Sequence, residues 1–369
     1  MIVIVDESIL AHLESQNNDD ALSFIEDLCR ARKRGYSLIK VTKRVSLKLI
    51  SHPDLSSHQK ATFKHMSQES TFTKELSAIT LNQVTFYSGK YTKTAFPNGL
   101  DIRNYDSDEI LQEYLNRPKL VLENSTDSVI YKKIVEWYIE RNYKVNSFHT
   151  SFEVLHGGGH TLANYCDKLL KDQKIVFAIC DSDKKSPDCK KGGTVSDAEK
   201  VFKKHNMLRQ LYKIDVHEIE NLIPINIYLK TAKKEQLPAL QFLSHATKEY
   251  PQCYLYYDFK CSFKVSQIWT EKQTTISMFW RPIFEYVNNI VIEDCIINKD
   301  KLYVIDKNKP TTHILLNKLS SISKHAFEKL DLEHVNNIEL GGLEQTWSEI
   351  GEVLFNWFVA LKPIRINNS

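Results

Sequence analysis

Lys119-Leu-Val-Leu-Glu123-Asn-Ser-Thr-Asp127 and Lys174-Ile-Val-Phe-Ala-Ile-Cys-Asp181-Ser-Asp183 are two short apolar runs that each end in a pair of carboxylates. Between them lies His156-Gly-Gly-Gly-His160, and after them Leu211-Tyr-Lys-Ile-Asp-Val-His-Glu218-Ile-Glu220-Asn221. The segments between these tips carry helical spacing. Ile130, Ile134 and Trp137 or Tyr138 form one apolar face, and Leu162, Tyr165, Cys166 and Leu169 form another. Short buried strands alternating with amphipathic helices predict an α/β fold with a mostly parallel sheet. Polar residues gathered at strand carboxyl ends are where such a sheet carries its site.

Working outward, the predicted central strands are 120–122, 152–155, 175–180 and 211–216. Ser125 or Thr126 is the expected cap of the helix after the first strand. Ser196-Asp-Ala-Glu199 has capping-box spacing and is read as the start of a helix carrying Val201, Phe202 and Leu208. Residues 1–115 read as a small α/β domain, with strands at Ile2–Val5 and Tyr36–Val41 around a helix that ends at Gly35. Residues 98–118 read as a connection, 116–225 as the central domain and 226–369 as a mainly helical region. In that last region Trp347, Ile350, Leu354, Trp357 and Leu361 form one stripe that Pro363 ends, and Leu302–Ile305 reads as a strand.

The totals narrow the classes. The chain has 369 residues and a formal net charge of +3, so a sizeable core is expected and wholesale disorder is not. Seven cysteines without a CxxC pair argue for reduced thiols in a cytoplasm. No run approaches the roughly 20 apolar residues of a membrane span, so no membrane partner is expected.

The acidic tips carry the chemistry. Clustered carboxylates need positive charge to offset their repulsion, and an all-oxygen donor set is what Mg²⁺ or Mn²⁺ prefers. Asp181 and Asp183 lie near one point, Glu123 comes from a neighbouring strand, and Glu218 or Glu220 offers a further ligand. Two such ions would serve phosphoryl transfer. Gly157, Gly158 and Gly159 at a strand-to-helix junction permit close approach of an anionic ligand. His156 and His160 are poor zinc ligands, because three glycines between them disfavour a helical pair.

The order strand–Glu, glycine turn, strand–Asp-x-Asp, strand–Glu resembles the Toprim domain over residues 119–225. That fold is shared by topoisomerases, primases and OLD-type nucleases. Val121-Leu-Glu123-Asn-Ser-Thr-Asp127 is similar to the opening motif of OLD-type members, and Glu218-Ile-Glu220-Asn221-Leu to the tip of Toprim-like proteins in anti-phage systems. The resemblance implies a metal-dependent nuclease acting on DNA or RNA, tRNA included, as a defence effector or toxin. Glu123 would be a ligand or the acid/base, and Asp127 would assist an ion. Asp181 and Asp183 would hold Mg²⁺ or Mn²⁺, and Glu220, or else Glu218, would complete a second site. Lys184 and Lys185 would neutralise the scissile phosphate, and the glycines with His160 would line the substrate path. Lysines 190, 191, 200, 203 and 204 make this side basic.

Asn124 stands where the family carries Gly, and a left-handed backbone is expected there. The chain has no GxxxxGK[ST] motif, so any ATPase or sensor is expected to be a separate partner, and a homo-oligomer is compatible with the sequence. Two other expectations compete: a non-catalytic Toprim-like binding module, and primase- or topoisomerase-like phosphoryl transfer, for which no tyrosine motif or zinc ribbon is present. The N-terminal strand tipped by Asp6 also faintly resembles PIN-like nucleases. Thr42-Lys43-Arg44 lacks the second acid such a site needs, so a structural or substrate-binding role is expected there. Lys and Arg at 30, 32, 33, 34, 40, 43, 44 and 48 are candidates for a phosphate-facing patch.

Overall fold

The computed structural model describes the chain except residues 80–81, 90–97, 144–147, 206–207, 262, 271, 299–300, 307–308, 314–318, 320–321 and 366–369. The elements run β1 (Ile2–Val5), α1 (Ser8–Leu13), α2 (Asp19–Arg34), β2 (Leu38–Val41), α3 (Lys43–Ser51), α4 (Ser57–Ile79), β3 (Gln83–Tyr87), β4 (Gly99–Asp101) and α5 (Glu109–Glu113). They continue with β5 (Lys119–Leu122), α6 (Ser128–Tyr143), β6 (Phe148–Thr150), β7 (Glu153–His156), α7 (Leu162–Lys171), β8 (Val176–Cys180), α8 (Gly193–Phe202) and β9 (Arg209–Lys213). The last part holds α9 (Ile225–Thr231), α10 (Leu237–Ala246), α11 (Thr275–Asn288), β10 (Cys295–Asn298), β11 (Lys301–Asp306), β12 (Lys309–His313), α12 (Ser323–Leu332), α13 (Glu344–Phe358) and β13 (Val359–Leu361).

The expected α/β architecture with parallel sheets flanked by helices is present. One parallel sheet has the order β2-β1-β3-β4 and a second the order β7-β5-β8-β9. The N-terminal sheet thus has two more strands than the sequence indicates, and β4 lies in the stretch read as a connection. The region after residue 225 contains α9 to α13 and also the antiparallel sheet β10-β11-β12. Of the helices expected there, α12 covers Ser323–Leu332. The stripe of α13 buries Trp347, Ile350, Leu354 and Trp357 as read. Leu361 instead belongs to β13, which pairs antiparallel with β6 (Leu361 opposite Phe148).

The central sheet shows why its strands read as continuous apolar runs. Successive side chains point to opposite faces, and both faces are covered. Val121, Val176, Ala178 and Cys180 pack under α7 and α8 with Leu162, Cys166, Val195 and Ala198. Leu120, Leu122, Phe177 and Ile179 face the larger core, which includes Ile130 and Ile134 of α6 and Trp357 and Phe358 of α13. Three further readings are corrected. The helix after β5 is entered from Asn124, whose Oδ1 accepts the Thr126 N–H at 3.2 Å, not from Ser125 or Thr126. α8 starts at Gly193, so Ser196 sits inside it with its hydroxyl donating to the Gly192 carbonyl. Leu208, read on that helix, lies beyond its end at Phe202.

Candidate functional site

In the sheet order β7-β5-β8-β9 the chain leaves β5 toward β7 on one side and leaves β8 toward β9 on the other. Such a reversal opens a crevice at the strand carboxyl ends. Glu123 follows β5 and Asp181 follows the adjacent β8, so both enter that crevice. Strand-like pairing continues past β8 and β9: Ile214 N–H donates to Cys180 O, Ser182 N–H to Val216 O and Asp183 N–H to His217 O, at 3.1–3.2 Å. This zipper draws the Glu218–Asn221 tip beside the Asp-x-Asp, and Ile219 N–H donates to Asp181 Oδ2 at 3.2 Å.

The tip is a single 3₁₀ turn, Ile219–Leu222, held by Asn221. Its Oδ1 accepts the Glu218 N–H at 2.9 Å, and its amide nitrogen donates to the carbonyls of Tyr254 and Tyr257. Tyr228 OH donates to Glu220 O at 3.0 Å and Trp347 Nε1 to Leu222 O at 2.8 Å. Glu218 and Glu220 are both buried.

Opposite, Gly157 N–H donates to Leu122 O at 2.7 Å and Gly158 N–H to Glu123 O at 3.2 Å, so the glycine turn is stitched to the strand that presents Glu123. A Cβ on Gly157 would stand 2.9 Å from Leu162 and 3.0 Å from Leu122 O, and Gly158 adopts φ +74°. Both favour glycine. His156 and His160 are exposed. Asn124 has extended backbone (φ −130°, ψ 133°), not the left-handed form expected of it. Its side chain supplies the turn contact instead, so glycine is unnecessary there.

Burial and mutual repulsion act on the carboxylates together. Burial raises Glu123, and Asp183 adds to it. Burial pushes the Asp127 carboxyl up to about 6, with Glu123 contributing and Lys260 opposing. Asp181 is raised well above the carboxylate range, first by burial and then by Glu123, Asp127 and Glu220. Glu220 is pushed up to about 7 by burial, with Glu218 adding and Lys260 opposing. Four acids from three strand ends thus feel one another. Asp183 lies at the exposed rim at φ +55°.

Lys184 and Lys185 are both ion-paired here, Lys184 with Asp215 at 2.6 Å and Lys185 with Asp258 at 2.8 Å. Lysines 191 and 200 pair with Glu199 and Asp197, so part of the basic flank is neutralised locally.

The sequence reading missed three participants. Lys260 places its ammonium 2.8 Å from Glu218 Oε2 and 3.6 Å from Glu220 Oε2. His217 Nε2 lies 3.2 Å from Glu218 Oε1 and 3.5 Å from Asp258 Oδ2. Burial pulls the His217 imidazole down, but Asp258 and Glu218 outweigh it and hold it up at about 9. Asp258 is held below its ordinary value by His217 and Lys185 despite burial. Among the described residues, His217, Glu218 and Asp258 form the one group of three or more potential ligands whose atoms lie within 4.8 Å of one another. Their charges are already met by Lys185 and Lys260. His217 had a signal, being next to Glu218, but Asp258 and Lys260 sit in an unpatterned loop 75 or more residues beyond Asp181.

Among the described residues no helix is long and apolar enough to cross a membrane. No protein-family model matches this chain, and no curated protein or solved structure matches it either.

Proposed function

We propose that the crevice between β5 and β8 is a Toprim-type site for metal-dependent hydrolysis of phosphodiester bonds in DNA or RNA, in a defence effector or toxin. The observation that carries this reading is that Glu123, Asp127, Asp181 and Glu220, from three strand ends, face the reversal point of a parallel sheet, where Glu123, Asp127 and Glu220 all act to raise Asp181. Carboxylates that repel one another across a shared crevice are stabilised by a cation. The donor set is entirely oxygen, as Mg²⁺ and Mn²⁺ prefer.

Glu123, Asp127 and Asp181 would hold the ion, with Asp183 at the rim. When bound, such an ion polarises a phosphoryl oxygen and makes water a stronger nucleophile. Glu123, at the end of β5 and raised by burial, is placed to take a proton from the attacking water. Water oxygen then bonds to phosphorus, the ester P–O bond breaks, and the leaving oxygen takes a proton from solvent, to which Glu123 returns the one it accepted. The Gly157–Gly159 turn leaves backbone room for the phosphate chain beside Glu123.

A second reading, a binding module without catalysis, is favoured by one observation. Glu218 is already neutralised by His217 and Lys260, as in an inert scaffold. The test is incubation of the chain with plasmid, single-stranded DNA and total tRNA in Mg²⁺, Mn²⁺ or EDTA. Wild type should cut at least one substrate only with metal, and Glu123→Gln/Asp181→Asn should lose at least about a hundredfold in rate, roughly what loss of a metal ligand or base costs. Cutting that survives the double substitution would move the active site elsewhere.

A further inference from the structure

We propose that Lys260 stands in for a second metal ion, so that this site takes one divalent cation and completes its positive charge with an ammonium. The inference rests on the reading above and sharpens it, since two ions are what the sequence pattern implies. The Lys260 ammonium sits between Glu218 Oε2 and Glu220 Oε2, the two carboxylates available for a second ion.

Its placement is built, not incidental. Asp258 Oδ1 accepts the Lys260 N–H at 3.1 Å and the Cys261 N–H at 2.8 Å, while Oδ2 faces Lys185 and His217. The preceding Phe259 is fully buried, stacks on Tyr228 at 4.9 Å, and its carbonyl accepts the Leu319 N–H at 2.9 Å. Tyr228 in turn donates to the Glu220 carbonyl. The loop carrying Lys260 and the turn carrying Glu220 are therefore locked to each other. The lysine side chain is 57% exposed, so it reaches the carboxylates from the solvent side, where substrate phosphate would also arrive. A divalent ion on Glu218 and Glu220 would have to expel this ammonium against the geometry of the loop. One on Glu123, Asp127 and Asp181 would not.

The experiment is calorimetric titration of the full chain with Mn²⁺ alone, for wild type, Lys260→Gln, Lys260→Arg and Asp181→Asn. Near-UV circular dichroism checks that each variant is folded. We expect one equivalent for wild type and Lys260→Arg, two for Lys260→Gln, and at least a tenfold weaker single event for Asp181→Asn. Two equivalents in wild type would overturn the ammonium's role and leave the nuclease reading standing. A single equivalent in Lys260→Gln would overturn it too, because the freed carboxylates would then have needed no replacement cation. No Mn²⁺ bound by wild type at millimolar concentration would remove both readings together.

Discussion

Asp127 and Glu220 ionise late because each is buried among like charges. Their ordinary values of 3.8 and 4.5 become about 6 and about 7. Between pH 4 and 7 the folded chain therefore holds more protons than the unfolded one. The stability this lends is fully present below the unfolded values and is lost as pH rises through 6 and 7. His217, raised from 6.5 to about 9, adds to the same fall: its contribution shrinks from about pH 6.5 and is gone above about 9. The lowered Asp258 contributes above its ordinary 3.8, so it adds no slope in the same window. In EDTA the melting midpoint should fall by several degrees from pH 5 to 8, Mn²⁺ should remove that fall, and Glu220→Gln should flatten it. Scanning fluorimetry across that range checks this; a midpoint that climbs with pH in EDTA would contradict it. Asp258→Asn is a different case. Both carboxylate oxygens serve four partners, and an amide nitrogen in place of Oδ2 would face two cations. We expect a loss of about 3 kcal/mol, as for removing one partner of a buried charge network, measured by urea unfolding.

The turns around the crevice determine whether its acids converge. Asn221→Ala leaves the Glu218 N–H and two buried carbonyls unpaired, at a cost of roughly 2–4 kcal/mol by the desolvation of such groups. It also frees the turn that presents Glu220, so Mn²⁺ affinity should weaken in the same variant. Unchanged stability by urea titration would count against the turn as the anchor. Gly192→Ala acts at the rim: its Cβ would lie 2.1 Å from Asp183 Oδ2, so Asp183 must swing away. A loss of cutting without a matching loss of Mn²⁺ binding would place Asp183 at substrate and not at the first ion.

These elements also show what the sequence could convey. β5 and β8 were legible because both faces are covered and every position except Lys119 is apolar. Gly35 was legible as a helix stop because its left-handed φ +63° is a local requirement. β3 and β4 were not, since Gln83 and Thr85 interrupt the apolar run of Gln83-Val-Thr-Phe-Tyr87 and Gly99-Leu-Asp101 becomes a strand only by pairing with β3. Asn124 was misjudged because a side-chain hydrogen bond replaced the backbone freedom expected of it. The site's acids were visible as strand tips. Their cations were not, because Asp258 fixes Lys260 through contacts far away in sequence.

At the scale of the whole molecule, the three regions read from the sequence are joined through charge and packing. Arg32 of α2 is 2% exposed; it forks onto Glu69 of α4, and its Nη1 donates to Lys362 O at 2.9 Å. Ile364 N–H donates to Lys33 O, His149 Nε2 lies 2.8 Å from Gly35 O, and Phe72 stacks on Phe148 at 5.1 Å. One core cluster runs from β1 through α6 to α13. Chains of this length commonly unfold domain by domain, yet these ties predict a single transition. The tryptophans make the test clean. All five lie at positions 137, 269, 280, 347 and 357, so fluorescence reports only the central and C-terminal regions. Far-UV circular dichroism reports α2 and α4 as well. In urea the two signals should change together for wild type. Arg32→Ala removes the fork to Glu69 and Lys362, and there the dichroism should begin to fall before the fluorescence does. Two separated transitions in wild type would mean that the N-terminal sheet is an independent unit, and that the site's rigidity owes nothing to it.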